Sequence, residues 1–225
     1  MARSEAEHRA ALLAAREVFW GKGYDETSVE DLVAATGLNR YALYSMFGGK
    51  LDLFLAVLDF YQEERRTMFK GFLNDDTYSP MEAVERVFEF CCDEMAKRGV
   101  GCLLGNIAHN VARTEPRVAE RVKTHFNEIE DAHVEALGRA ARRGELNPAV
   151  SPEDGAKVII TLILGLGAGV ENIHTTQDSR TSFRTALKAL SASGATAATG
   201  ATQRKRKKTP ANPKPIQHSK RKASR

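Results

Sequence analysis

Cysteine is scarce in this chain: 225 residues hold three, and two of them, Cys91 and Cys92, are adjacent. At this spacing they build no disulfide framework and match no zinc-ligand pattern. Long apolar runs are missing as well. The most apolar one, 158–170, is 13 residues long and carries Gly165, Gly167 and Gly169. A membrane span needs about 20, so a buried helix is expected and no membrane partner. The first residues, Met-Ala-Arg-Ser-Glu-Ala-Glu-His-Arg, lead into no continuous apolar segment, which argues against a secretory signal and for the cytoplasm. Apolar–polar alternation of period two is absent over any strand-length window, so no sheet is expected. Nor is there a Ser/His/Asp constellation, a phosphate-cradling glycine loop, or a carboxylate pair that the sequence places in one cleft. His109, His125, His133 and His174 lack metal-ligand spacing. Neither an enzyme, a metal site nor a cofactor is expected.

One charge sign is also missing locally. Residues 204–225 carry ten Lys or Arg and no Asp or Glu. Taking those ten from the 33 basic residues leaves 23 against 29 acidic ones, a net of −6 for the rest. The overall +4 therefore describes the C-terminal segment, and any nucleic-acid role for the body has to rest on motifs rather than net charge. After Ser193 the only large apolar residue is Ile216. Such a segment buries too little surface to offset its ordering entropy, so 193–225 is expected to be a disordered basic tail.

The remaining residues, 42% apolar over the whole chain, read as helix. A first helix is expected over about 4–22, with Leu12, Ala15, Val18 and Phe19 as its apolar stripe and Gly21 and Gly23 at its end. Short helices at about 28–35 and 40–46 follow, then a longer one at 49–73. Ser79-Pro80 opens another that ends near Gly99. Further helices are expected at 102–112 and 116–143, the latter starting on Pro116, which is tolerated in a first turn. Ser151-Pro152-Glu153-Asp154 supplies an N-cap, a first-turn proline and two acids for a helix reaching about 174. A last helix is expected over about 180–192.

The stretch from Thr27 to Phe47 has the make-up of a helix-turn-helix. Ser28 or Thr27 can cap a first helix, and Ala34 and Ala35 are small enough for close helix approach. Gly37 can take the left-handed conformation of the turn, Leu38 plugs the angle, and Asn39 caps the second helix. Leu43 and Phe47 face inward with Leu32, leaving Arg40, Tyr41, Tyr44 and Ser45 outward, residue types suited to base edges and phosphates. On spacing alone, an ordinary helical corner with solvated Tyr and Arg remains open.

The flanking residues narrow the choice. Ala14-Ala15-Arg16-Glu17-Val18-Phe19, Gly23-Tyr24, Thr27-Ser28-Val29, Ala35-Thr36-Gly37-Leu38, Leu43-Tyr44, Phe47 and Lys50 stand in the order and spacing of the DNA-binding domain of the tetracycline-repressor (TetR) family, which this segment resembles from about Ala10 to Leu55. Leu51-Asp52 departs from the family's usual acid directly after the lysine. The resemblance implies an all-α homodimer with an N-terminal helix-turn-helix domain, here 5–65, and a C-terminal ligand-binding and dimerisation domain, here 66–192. It implies a double-stranded operator with inverted-repeat symmetry and a small-molecule inducer. Carried over by position, Thr27 would hold a phosphate. Asn39, Arg40, Tyr41 and Ala42 would face the major groove, Tyr44 would meet the backbone, and Lys50 another phosphate. Gly48-Gly49 would be the flexible joint after the recognition helix.

In the C-terminal half, Gly101-Cys102-Leu103-Leu104 resembles a subgroup of the same family that responds to electrophiles or oxidants through a cysteine. Cys102 near a helix N-terminus fits that reading; a small buried hydrophobe is the other. Sensor-pocket candidates are Phe88, Cys92, Met95, Cys102, Asn106, His109, Phe126 and Ile129, each of which can equally be simple core. The resemblance implies that the glycine-rich helix at 152–174 and the helix at 180–192 form a four-helix dimer interface; an intrachain core helix is the other reading of 152–174. The leading expectation is a repressor released by a ligand; the alternative is an architectural DNA binder dominated by its tail.

Overall fold

The computed structural model describes residues 5–98, 102–167 and 175–192. The expected tail (193–225) and the far end of the expected glycine-rich helix (168–174) lie outside them. In chain order the described helices are α1 (Glu5–Lys22), α2 (Val29–Thr36), α3 (Arg40–Phe47), α4 (Lys50–Leu73), α5 (Pro80–Arg98), α6 (Leu103–Ala112), α7 (Pro116–Arg142), α8 (Pro152–Gly167) and α9 (Thr176–Leu190). Among the described residues there is no strand, and Leu146 and Ser191 form an isolated bridge. None of these helices alone is long and apolar enough to cross a membrane.

The short helices owe their ends to named side chains. Ser28 Oγ accepts from the Asp31 amide at 3.1 Å while Asp31 accepts from the Ser28 amide at 2.9 Å, a reciprocal cap on α2. Asn39 Oδ1 accepts from the Ala42 amide at 2.7 Å and starts α3. Between them Gly37 stands at φ 69°, a left-handed turn in which a Cβ would be strained. Ala34 and Ala35 are exposed rather than wedged between helices, because so short a helix buries only a narrow stripe, here centred on Leu32. The last helix starts earlier than expected, at Thr176, because Thr175 and Asp178 form a second reciprocal cap.

Two apolar cores result. The first joins α1–α4 as far as Tyr61, with Phe19 edge-on to Phe54 at 4.9 Å. Leu103, Leu104 and Val111 of α6 and Val118 of α7 also pack into it. The second is built from α5, α7, α8 and α9 with Phe69 and Leu73 of α4, and Phe88 stacks on Phe183 at 3.7 Å. Since α4 runs unbroken through both, the expected boundary at 65/66 falls inside a helix. Arg16 bonds Glu64 at 2.7 Å, and Arg121 forks onto Asp59 at 2.7 and 3.0 Å, so α4 is tied to α1 on one side and α7 on the other. On the far side Arg180 and Arg184 clip α9 to Glu85 and Glu89 of α5.

Candidate DNA-binding face and sensor cavity

Helix α3 turns one face inward and one outward. Leu43 is fully buried and Phe47 half-buried, so side chains about half a turn away must point to solvent. Tyr41 is 83% and Tyr44 45% exposed; Asn39, Arg40 and Ser45 are exposed beside them. Arg40 is ion-paired with Glu30 of α2. Lys50, at the N-terminus of α4, holds its ammonium 4.4 Å from the centre of the Tyr24 ring and 3.5 Å from the Asp25 carbonyl. That places a cation beside the positive end of a helix dipole, an arrangement that disfavours the cation unless an anion joins it.

Two expected DNA contacts sit on the inside. Ala42 is buried next to Leu43, one residue's rotation away from the exposed face. Thr27 is 1% exposed, and its hydroxyl donates to the Gly23 carbonyl at 2.5 Å. It closes the end of α1, where a carbonyl lacks a helical partner, and its hydroxyl proton is already in use. Gly48 stands at φ 90° and donates its amide to the Tyr44 carbonyl at 2.8 Å. The Gly48-Gly49 link is thus a hydrogen-bonded helix end.

Where the two cores meet, α1, α4, α5, α7, α8 and Cys102, the cap before α6, border an open-mouthed cavity whose empty space, counted out into solvent, is about 530 Å3. Its apolar wall is Trp20, Phe69, Met95, Phe126, Ile129 and Ile163; its polar side chains are Tyr61, Arg65, Cys91, Glu94, Cys102 and His125. Tyr61 Oη lies 3.5 Å from Cys102 Sγ. The Arg65 guanidinium lies over the Tyr61 ring at 4.8 Å and the Phe90 ring at 5.3 Å, with Glu94 at 3.8 Å. Burial, reinforced by the charge of Arg65, lowers His125 to about 4, so its ring is neutral near pH 7. Burial pushes the Tyr61 hydroxyl up and the Cys91 thiol up to about 12, which keeps both protonated.

Of the expected sensor residues, Met95, Cys102, Phe126 and Ile129 line this cavity. Phe88 and Cys92 do not: Phe88 is spent on its stack with Phe183, and Cys92 is fully buried in the second core. Neighbouring residues on a helix point about 100° apart, and it is Cys91 that reaches the cavity. Asn106 and His109 fall on α6, but their side chains lie outside what is described. Sequence reasoning missed Tyr61 and Arg65 as cavity groups. A signal was present: Leu58, Tyr61, Arg65 and Phe69 follow one another at helical spacing, so a cation interrupts a buried stripe.

Comparison with known proteins agrees with this anatomy. The family described as bacterial regulatory proteins, tetR family, matches residues 11–57, and the tetracyclin repressor-like C-terminal domain matches 80–190. An uncharacterized HTH-type transcriptional regulator, YezE of Bacillus subtilis, is 32% identical over 133 residues, 58% of this chain and 68% of that one. The HTH-type transcriptional repressor ComR of Escherichia coli is 28% identical over 172 residues, 73% of this chain and 82% of its own. A cysteine mutant of the TetR family transcriptional regulator CifR, complexed with 26bp double-strand operator DNA, shares the fold. Its TM-score is 0.70 at 24% identity, covering 83% of this chain and 99% of that one. The chain belongs to the tetR family of bacterial regulatory proteins and is a DNA-binding transcriptional regulator.

Proposed function

We propose that this regulator is a cytoplasmic homodimeric repressor of an inverted-repeat operator, and that a small molecule entering the cavity releases it. The observation that carries the release step is Trp20. It belongs to α1, which braces α2, and it also forms part of the cavity wall. A ligand that presses on Trp20 acts on the support of the reading helix without touching DNA. In the reading itself, Asn39, Arg40 and Tyr41 face the major groove, and Tyr44 and Lys50 hold phosphates. The partner copy packs on α8, where Val158 and Leu164 are exposed and Gly165 has no neighbour within 4 Å of where a Cβ would stand. Cys102, on the cavity wall, is the residue through which a thiol-reactive electrophile acts.

Selecting an operator from random duplexes and measuring its affinity against scrambled DNA tests this. Lys50→Ala weakens both and Arg40→Ala narrows the gap between them; unchanged binding in both variants overturns the assignment. Treatment with a thiol-reactive electrophile releases wild type and leaves Cys102→Ser bound, and equal release removes Cys102 from the sensing role. The charge of 204–225 supports a second DNA contact, a non-specific tether that offsets a body near −6. Each phosphate it neutralises adds about −0.9 to the slope of log K against log salt. Deleting 204–225 therefore flattens that slope for operator and random DNA alike while keeping their ratio. A collapsed ratio makes the tail a reader of sequence.

A further inference from the structure

Two cavity groups are left with hydrogen-bonding capacity that no described residue uses. Arg65 is 11% exposed in its side chain. Its five N–H donors make no hydrogen bond to a described residue; its contacts are the two ring faces and Glu94, which at 3.8 Å is beyond hydrogen-bond reach. His125 is 3% exposed, packed between the rings of Tyr61 and Phe126, and neither ring nitrogen bonds a described residue. Donors that line an open chamber and bond no described residue take their partners from what fills it, a ligand or ordered water. Both belong to the cavity wall, and with them stands the Tyr61 hydroxyl, whose contact is the weakly bonding Cys102 thiol.

These groups share a sign. Arg65 only donates, Tyr61 Oη can donate, and a neutral imidazole donates through one nitrogen. Tyr61 stands next to both others, its ring 4.8 Å from the Arg65 guanidinium and 6.2 Å from the His125 ring, in a chamber whose apolar lining is Trp20, Phe69, Met95, Phe126, Ile129 and Ile163. We propose that the cavity is built for a hydrophobic organic acid, its carboxylate held by Arg65, Tyr61 and His125 and its aromatic or branched body against the apolar wall. A planar guanidinium matches a carboxylate fork. A phosphate ester fits worse, since among the described lining residues a second negative charge meets no second cation. Glu94 opposes the ligand's charge at the same arginine, while its own ammonium partner is Lys97 at 3.5 Å. That makes Glu94 a selectivity element: it weakens every anion and excludes those without enough apolar body to compensate.

The proposal rests on the reading of this cavity as the effector site, and its test is kept apart from DNA release. Trp20 is the chain's single tryptophan, so its emission in the full-length protein reports cavity occupancy directly. Phenylbutyrate is the probe, with phenylbutanol and phenylbutyramide as uncharged controls. Phenylbutyrate quenches or shifts Trp20 emission at lower concentration than either control. Arg65→Gln weakens the acid by roughly ten- to a hundredfold, the range for a lost charge-assisted hydrogen bond, and leaves phenylbutanol unchanged. Glu94→Gln tightens the acid alone, and serves as the independent variant if Arg65→Gln does not fold. Equal affinity for acid and alcohol in wild type overturns the proposal, as does Glu94→Gln without effect on the acid. Operator binding followed by anisotropy in the same titration separates the two readings. An acid that binds as described and leaves DNA bound sinks the release step and keeps the site.

Discussion

The DNA-reading face and the sensor cavity are made in opposite ways. The face comes from one stretch of 24 residues, Thr27 to Lys50, on two eight-residue helices with their own caps, and its working side chains point to water. The cavity draws its wall from five helices and the Cys102 cap of α6, with contributors from Trp20 to Ile163, and its working side chains are mostly buried. Substitutions on the face should therefore change DNA binding at little cost in stability, whereas those around the cavity should do both. The sharpest contrast is Phe183→Ala against Tyr41→Ala. Removing the ring stacked on Phe88 should cost about 3–5 kcal/mol of folding free energy. Removing the exposed Tyr41 ring should cost within about 0.5 kcal/mol and still weaken operator binding. Denaturant unfolding of both variants, beside operator titrations, checks the pair; a large stability loss in Tyr41→Ala breaks the contrast.

A second effect separates the regions by pH. His125 has a folded-state pKa near 4, below the ordinary 6.5, because of burial and the nearby Arg65 charge. The unfolded chain takes up the proton first as pH falls, so this contribution is complete above about 6.5 and is lost progressively toward 4. A shift of that size corresponds to roughly 3 kcal/mol. Unfolding free energies across that window should fall for wild type and fall less steeply in His125→Gln, where His133, also lowered by burial, keeps part of the slope. If both fall equally, His125 does not set the acid sensitivity.

On the face the expected effects are smaller and concern recognition. Arg40→Ala should cost about 1–3 kcal/mol at the base pair it reads, with discrimination lost there and melting nearly unchanged. Its partner sharpens the test. Glu30 holds Arg40 in the free chain, so Glu30→Gln should raise affinity for operator and random DNA together by removing an acid near phosphates. A loss of operator preference in Glu30→Gln would instead mean that Glu30 orients the arginine for reading.

The same contrast explains what could be read in the sequence. Ser28, Gly37 and Asn39 act on neighbours within four residues, so their roles were visible as spacing, and the motif's outward residues followed from where Leu32 and Leu43 had to point. Long helices were legible from their stripes, and the missed start of α9 was a local signal overlooked, Thr175 three residues before Asp178. Cavity residues were harder because burial alone does not tell core from cavity. Cys92 and Phe88 looked as suitable as Met95 and Phe126, and only helix packing decides that Cys91 faces inward and Phe88 meets Phe183. That 65/66 falls inside α4 has a related reason: α6 and the start of α7 complete the N-terminal core from far along the chain, and no local pattern announces that.

Thr27 tests the comparison at its edge, with the smallest expected effect. By position in the family it belongs to the DNA face; by burial it belongs to the core, with its hydroxyl bonded to the Gly23 carbonyl at the end of α1. Thr27→Val keeps the shape and removes that bond. A structural role predicts a stability loss of about 0.5–1.5 kcal/mol, with the salt dependence of operator binding unchanged. Holding a phosphate through its hydroxyl predicts nearly unchanged stability and weaker binding to every sequence. Because threonine carries no charge, that second outcome also leaves the counterion slope alone, so the slope cannot decide. Stability read beside affinity decides, with Lys50→Ala as the control for a charged phosphate contact, since it should reduce the slope by about 0.9. If Thr27→Val melts like wild type while affinity for random and operator DNA falls in parallel, the hydroxyl must leave Gly23 when DNA arrives, and Thr27 moves from the core to the face.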